Sequence, residues 1–174
     1  MALYLIELTP ATASKDEATA LIETVSNSLS EGAELIETQV SADHKLIFAI
    51  IESENTAFAP ALTAAIGERA SVVGPDEVRL VGAELDDIKK LKKDADYLVE
   101  WDIPAEITME HYLTRKKANA PKYAEVPEVS FLRTYVREDT AKCLCFYDAP
   151  DEDAVLRARK AVSTPIDRLF KLHA

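Results

Sequence analysis

Glycine is scarce in this sequence, with four residues among 174. Phosphate-binding loops use glycines to bring the backbone close to a phosphate, and neither a P-loop nor a dinucleotide fingerprint is present. The Gly-x-Ser-x-Gly elbow of hydrolases and the His-Glu-x-x-His motif of metalloproteases are also absent. The sequence therefore predicts no site of these kinds and no organic cofactor.

Cysteine is limited to Cys143 and Cys145. The two lie two positions apart on one predicted strand, which is a poor geometry for a disulfide between them. A secreted disulfide framework is therefore not expected, and both thiols are predicted to be reduced.

Basic residues are outnumbered, because the sequence has 20 of them and 31 acidic residues, and the net charge is −11. This charge opposes non-specific binding to nucleic acid or to an anionic membrane. No apolar run approaches the roughly 20 residues that span a bilayer, and the N-terminus lacks the basic flank of a signal peptide. We expect a cytoplasmic protein with neither a nucleic-acid nor a membrane partner.

The order of predicted elements is βαββαβ, and it occurs twice. Ser14 and Glu17 predict a cap for the first helix, while Thr108 and Asp151 predict caps for helices of the second half. The Gly74-Pro75 step is expected to break the chain before a short strand at Val78–Val81. The predicted boundaries are a first half at 1–85, a connector at 86–96 and a second half at 97–174.

The two halves are also similar in sequence. The hairpin segment LIETQVSAD, which begins at Leu35, aligns with FLRTYVRED, which begins at Phe131. A single βαββαβ unit covers one face of its sheet with helices and needs a second layer over the other face. The sequence therefore predicts an α+β fold of two tandem ferredoxin-like units, which form a single-chain, pseudo-dimeric α/β barrel with a shared interior.

The second hairpin, within 131–150, carries most of the side chains that could bind a ligand or take part in a reaction. Strict alternation along its strands would place them on one face, directed into the barrel, together with the carboxylate of the preceding strand. The predicted inward set is Glu100, Phe131, Arg133, Tyr135, Cys143, Cys145 and Tyr147. The equivalent positions of the first half include Ile47, Ala49 and Ile51, so a site is expected in the second half only.

Thiol and carboxylate donors in one cavity suit a soft or borderline metal ion, and Cys145, Glu100 and Cys143 are the candidate metal ligands. A lone Cys-x-Cys pair is a weak zinc signal. The cysteines are equally consistent with core packing, and Glu100 and Arg133 with a buried ion pair. Among the histidines, His111 and His173 have a lesser chance of joining a metal.

Several motifs give the second half a family resemblance. They are Val99-Glu100, Leu132–Val136, the run Cys145–Pro150 and the Pro-x-Asp-Arg sequence that ends at Arg168. With these motifs the second half resembles the small nickel-binding, ferredoxin-like proteins long catalogued as a domain of unknown function. The resemblance implies paired ferredoxin-like folds and nickel binding.

The chain departs from that family at Arg133, where many members carry a histidine. The guanidinium is expected to clamp an anionic ligand, and Arg133, Tyr135 and Tyr147 are the candidate ligand-binding residues. The leading hypothesis is a non-catalytic binding protein for a metal ion such as nickel or for a small ligand.

Two alternatives stay open. The first is a cofactor-independent monooxygenase or isomerase, with Glu100 as general base and Tyr135 as hydrogen-bond donor. The second is an interaction module that acts through its outer surface or as a homodimer.

Overall fold

The computed structural model describes residues 1–91 and 93–172. Predictions that concern His173 or position 92 of the connector lie outside these residues. The described residues form a mixed α/β fold that divides into two compact units. Among them, no helix has both the length and the apolar character needed to cross a membrane.

The first unit comprises residues 1–78 and 85–91. Its elements are β1 (Ala2–Pro10), α1 (Lys15–Ser28), β2 (Ala33–Val40), β3 (Ile47–Ser53), α2 (Ala59–Ile66), β4 (Ala70–Val81, whose last residues belong to the second unit) and α3 (Leu85–Lys89). The strands lie in the order β2-β3-β1-β4, and neighbouring strands are antiparallel.

The second unit comprises residues 79–84 and 93–172. Its elements are β5 (Tyr97–Asp102), α4 (Met109–Asn119), β6 (Ser130–Arg137), β7 (Lys142–Asp148), α5 (Glu152–Ala161) and β8 (Arg168–Lys171). A 3₁₀ segment at Ala120–Glu125 follows α4. The strands lie in the order β6-β7-β5-β8, and neighbouring strands are antiparallel.

Three helices begin at the predicted caps. The Ser14 hydroxyl accepts a hydrogen bond from the Glu17 amide at 3.1 Å, and the Thr108 hydroxyl accepts one from the His111 amide at 3.2 Å. The Asp151 carboxylate accepts one from the Ala154 amide at 2.8 Å. Each cap satisfies an amide that the first helical turn leaves free, so local chemistry fixes where these helices begin.

The prediction of a chain break at Gly74-Pro75 is wrong, because β4 is continuous through both residues. Its pairing with β1 shifts between Leu5 and Glu7, beside this step. Gly74 has φ +101°, and a Cβ there would lie 2.5 Å from the Leu5 carbonyl oxygen. A bulge therefore accommodates the glycine and the proline inside the strand.

Both units contain a bulge at the same place in the hairpin. The register of β2 shifts between Leu35 and Glu37, and the register of β6 shifts between Phe131 and Arg133. The two bulges lie 96 positions apart (131 − 35), which is also the separation of the matching sequences. After each bulge, the side chains that simple alternation would direct away from the helices face them, and the others face away.

The helices of each unit cover one face of its sheet. In the first unit, Ile47, Ala49 and Ile51 pack beneath α1 and α2 together with Leu21 and Leu62. Burying a leucine or isoleucine side chain contributes about 1.5–3 kcal/mol, so this face is a stable core. The equivalent strand of the second unit brings its cysteines to the same, helix-covered side. The prediction that these positions face away from the helices is wrong.

Candidate functional site

A cavity lies in the second unit between the sheet and the helices α4 and α5. The volume that the centre of a water molecule can occupy inside it is about 40 Å³. This exceeds the ~10–15 Å³ that one water needs on the same measure. Both cysteines and Arg159 contribute to its wall. The lining residues are Trp101, Tyr112, Arg115, Lys116, Asn119, Ala120, Tyr123, Phe131, Cys143, Cys145, Arg159, Val162 and Thr164.

The two thiols reach the cavity from β7. Cys143 and Cys145 alternate with Leu144 and therefore point to the same, helix-covered face, where each is 1% exposed. Thr134 pairs with Cys145 across the β6–β7 ladder and donates its hydroxyl to the Cys145 sulfur at 3.1 Å. Both cysteines are free thiols.

The thiols differ in acidity. Hydrogen bonding from Cys143 holds the pKa of Cys145 below its usual range, and the charges of Lys116 and Arg159 act in the same direction against the effect of burial. The same sulfur–sulfur hydrogen bond, together with burial, raises the pKa of Cys143. Cys145 is therefore the more acidic member of the pair.

A network of phenols borders the thiols. The hydroxyls of Tyr123 and Tyr147 lie 2.6 Å apart, and Arg159 donates from Nη1 to the Tyr147 hydroxyl at 3.0 Å. Burial raises the pKa of Tyr123 to about 12 and raises that of Tyr147 as well, so both phenols are neutral at physiological pH. The Tyr112 hydroxyl is buried beside Cys143, and burial raises the pKa of Tyr112.

Three cations line the cavity. Arg159 is 2% exposed on α5, and its Nη2 donates to the Pro165 carbonyl at 2.6 Å. The Lys116 ammonium lies 4.4 Å from the centre of the Phe131 ring, and the Arg115 guanidinium lies 5.3 Å from that of Trp101. No carboxylate is among the described residues that line the cavity, so positive side chains outnumber negative ones there, although the protein as a whole is acidic.

The predicted site residues fall into two groups on opposite faces of the sheet. Cys143 and Cys145 lie at the cavity, and Tyr147 lies beside it. Arg133 and Tyr135 pair with Phe146 and Leu144, and Glu100 also pairs with Leu144. Because cross-strand partners share a face, the predicted convergence of Glu100, Arg133 and Tyr135 with the cysteines is wrong. The bulge in β6 is the cause for Arg133 and Tyr135, and the register of β5 is the cause for Glu100.

Glu100 forms an ion-paired cluster on its own face. Arg168 donates from Nε at 2.6 Å and from Nη2 at 2.7 Å, and the Lys142 ammonium lies at 3.1 Å. Burial alone would raise the pKa of Glu100, but the hydrogen bonds from Arg168 and Lys142 outweigh it and lower the pKa. The predicted role as a general base required a raised pKa, and that condition is not met.

The two remaining residues of that face pack against an aromatic ring. The Arg133 guanidinium lies 4.9 Å from the centre of the Phe146 ring, and the Tyr135 ring contacts Phe146 edge-on with the centres 5.8 Å apart. His111 is exposed on α4 and does not line the cavity.

Most of the cavity residues were not singled out from the sequence, among them Tyr112, Arg115, Lys116, Tyr123 and Arg159. A signal for Arg159 exists, because the buried positions Ala154, Val155 and Ala158 of α5 continue through it. A charged residue on the apolar stripe of a helix is unusual enough to mark a site. Tyr112 and Lys116 share a helix face at i and i+4, which is a weaker signal.

Comparison with known proteins agrees with the resemblance noted in the sequence. Residues 97–172 match the family model described as nickel responsive protein SCO4226-like. The second half is similar to the SCO4226-like family. None of the curated proteins matches the sequence significantly.

Solved structures extend the fold comparison to the whole chain. TA0507, a protein named provisionally as a chlorite dismutase, is 15% identical with a TM-score of 0.59, and the match covers 100% of this chain and 96% of that one. An anthrone oxidase-like protein is 15% identical with a TM-score of 0.45, over 98% and 89% of the two chains. At this identity the match to TA0507 establishes similarity of fold alone.

Proposed function

We propose that this chain is a non-catalytic binding protein that holds a soft or borderline metal ion, such as nickel, at the thiols of Cys143 and Cys145. The observation that carries the proposal is the placement of both thiols on one strand face at one cavity. Thiolates are the protein ligands that soft ions prefer. The similarity of the second half to the SCO4226-like family supports the same reading.

The side chains at the cavity could supply part of the coordination shell of a metal ion. In the part of the chain that the structure describes, no group of three or more His, Cys, Asp or Glu side chains could surround a metal. The two thiols therefore supply the soft donors, and phenol oxygens or small molecules must complete the shell. Glu100 is no longer a candidate ligand, because it lies on the opposite face in its ion pair with Arg168.

The charges near the thiols affect the expected affinity for a metal ion. Lys116 and Arg159 favour the thiolate form of Cys145 but oppose the approach of a cation. An ion bound at both sulfurs would displace the thiol protons, so metal uptake should release protons to the buffer. We therefore expect modest affinity that increases with pH.

The decisive experiment is elemental analysis of the full chain without a histidine tag, after incubation with nickel, zinc or copper and then dialysis. Near-stoichiometric metal is expected in the wild type and in Glu100→Gln, and its loss is expected in Cys143→Ala and Cys145→Ala. Glu100→Gln is the matched control, because it removes a predicted ligand from the other face. Metal retained in both Cys143→Ala and Cys145→Ala would overturn the proposal.

We infer further that the two units are tandem copies of one ferredoxin-like fold. The support is the repeated βαββαβ order, the repeated strand order and the bulges 96 positions apart (131 − 35). In this interpretation the first unit is the degenerate copy, because Ile47 and Ala49 stand where the second unit has Cys143 and Cys145. Closure of the units into a barrel with a shared interior stays a prediction.

A further inference from the structure

Arg159 is a buried cation that forms no ion pair with a carboxylate among the described residues. It is 2% exposed, and it donates hydrogen bonds to two neutral acceptors, the Tyr147 hydroxyl and the Pro165 carbonyl. Its Nε–H group is buried and has no hydrogen-bond partner in the described residues. Burial lowers the pKa of Arg159, but the negative charge of Cys145 outweighs it and raises the pKa, so the Cys145 thiolate is a counter-charge to this guanidinium. The buried Nε–H group nevertheless has no acceptor among the described residues, and leaving a buried polar group without one is costly. This guanidinium therefore has the capacity to bind one more acceptor.

Arg115 and Lys116, the two other cations in the described wall of the cavity, also have no carboxylate partner among the described residues. Within residues 1–91 and 93–172, neither Arg115 nor Lys116 forms an ion pair with a carboxylate. Arg115 donates to the Ser163 carbonyl and stacks on Trp101, while Lys116 lies over the Phe131 ring. An acidic chain of net charge −11 thus places three cations around one small cavity, and no carboxylate is among the described residues of its wall.

We propose that this cavity binds a small anion, a short carboxylate or an inorganic oxyanion, through Arg159 and Lys116. Guanidinium and ammonium groups form charge-assisted hydrogen bonds with these oxygens, and the apolar walls strengthen them by excluding water. The space that water-molecule centres can occupy, about 40 Å³, suits a ligand of a few non-hydrogen atoms. The anion site goes beyond the proposed metal site, because it depends on cations of α4 and α5 and requires no metal.

The experiment is a titration of metal-free full chain with acetate, bicarbonate, phosphate and sulfate at constant ionic strength. Binding is followed by calorimetry and by the fluorescence of Trp101, which lines the cavity. We expect saturable binding of at least one probe. The affinity should fall about tenfold or more in Arg159→Gln, as loss of a charge-assisted hydrogen bond predicts.

Two further variants keep the test decisive even if Arg159→Gln fails to fold. Lys116→Met should weaken binding several-fold, whereas Lys117→Met removes the same charge from the exposed neighbour outside the cavity and should leave binding unchanged. The anion titration uses metal-free protein, whereas the metal proposal is tested by elemental analysis, so failure of one proposal is distinguishable from failure of the other. Absence of saturable binding in the wild type, or equal weakening by Lys116→Met and Lys117→Met, would overturn the proposal.

Discussion

Arg168 holds the buried carboxylate of Glu100 with two short hydrogen bonds, Nε to Oε2 at 2.6 Å and Nη2 to Oε1 at 2.7 Å. The two residues lie directly opposite each other on β8 and β5. Such a two-pronged pair fixes both the position and the plane of the carboxylate. The pair therefore ties the short edge strand β8 to the centre of the second unit.

Loss of Arg168 should destabilise the second unit. In Arg168→Met the carboxylate of Glu100, which is 3% exposed, keeps only Lys142 as an ion-pair partner among the contacts described above. Removing one member of a buried ion pair typically costs about 3–5 kcal/mol, and we expect the lower end because Lys142 remains. Urea unfolding followed by Trp101 fluorescence measures the change. Lys171→Met, an exposed charge removal on the same strand, should change the free energy of unfolding by less than about 0.5 kcal/mol. Equal effects would contradict the assignment.

The Glu100 cluster also predicts a pH dependence. The pKa of Glu100 is lowered from 4.5, because Arg168 and Lys142 outweigh the effect of burial. The unfolded chain then binds more protons than the native one in this range, so the stabilisation is complete above about pH 4.5 and disappears as the pH falls through the folded pKa. The wild type should be more stable than Glu100→Gln at pH 7, and the difference should shrink below about pH 4.5. Urea titrations of both proteins between pH 7 and pH 3 give this difference directly. A gap that stays constant over the range would show that the carboxylate charge contributes nothing.

The parts of the fold that sequence reasoning predicts well have local causes. Ser14, Thr108 and Asp151 each satisfy an amide three residues ahead, so the signal and the structure lie within one helical turn. The two-fold repetition of element order is likewise visible, because it depends on composition and periodicity rather than on pairing. These predictions do not require knowledge of strand register.

The candidate site depends on register, and there the prediction fails. The bulge between Phe131 and Arg133 reverses the alternation, so that Thr134 faces the cysteines and Tyr135 faces away. A shift of one residue moves every following side chain to the other face of a sheet, and no turn residue marks this bulge in the sequence. The register of β2 shifts at the equivalent place, between Leu35 and Glu37. Aligning the sequences of the two halves pairs the two bulges with each other, but it does not show at which residue the register shifts.

Gly82 provides the last prediction, because it lies against the aromatic wall of the cavity. It has φ +89°, and a Cβ there would lie 2.7 Å from Cε1 of Phe131. That ring stacks on Tyr123 with the centres 5.5 Å apart and the planes 6° apart. Gly82→Ala must therefore displace Phe131 from the stack, in addition to the backbone cost of about 1–2 kcal/mol for a side chain at positive φ.

Gly32→Ala is the matched control, since Gly32 has a similar φ of +94° and no atom within 4 Å of an added Cβ. Both variants carry the backbone cost, and only Gly82→Ala carries the clash, which we expect to add about 1–3 kcal/mol. Far-UV circular dichroism during urea unfolding measures both free energies. Near-UV circular dichroism should change in Gly82→Ala alone, because only there does an aromatic contact move. If the two variants lost the same stability and kept the same near-UV spectrum, Phe131 would not be packed against Gly82 in solution.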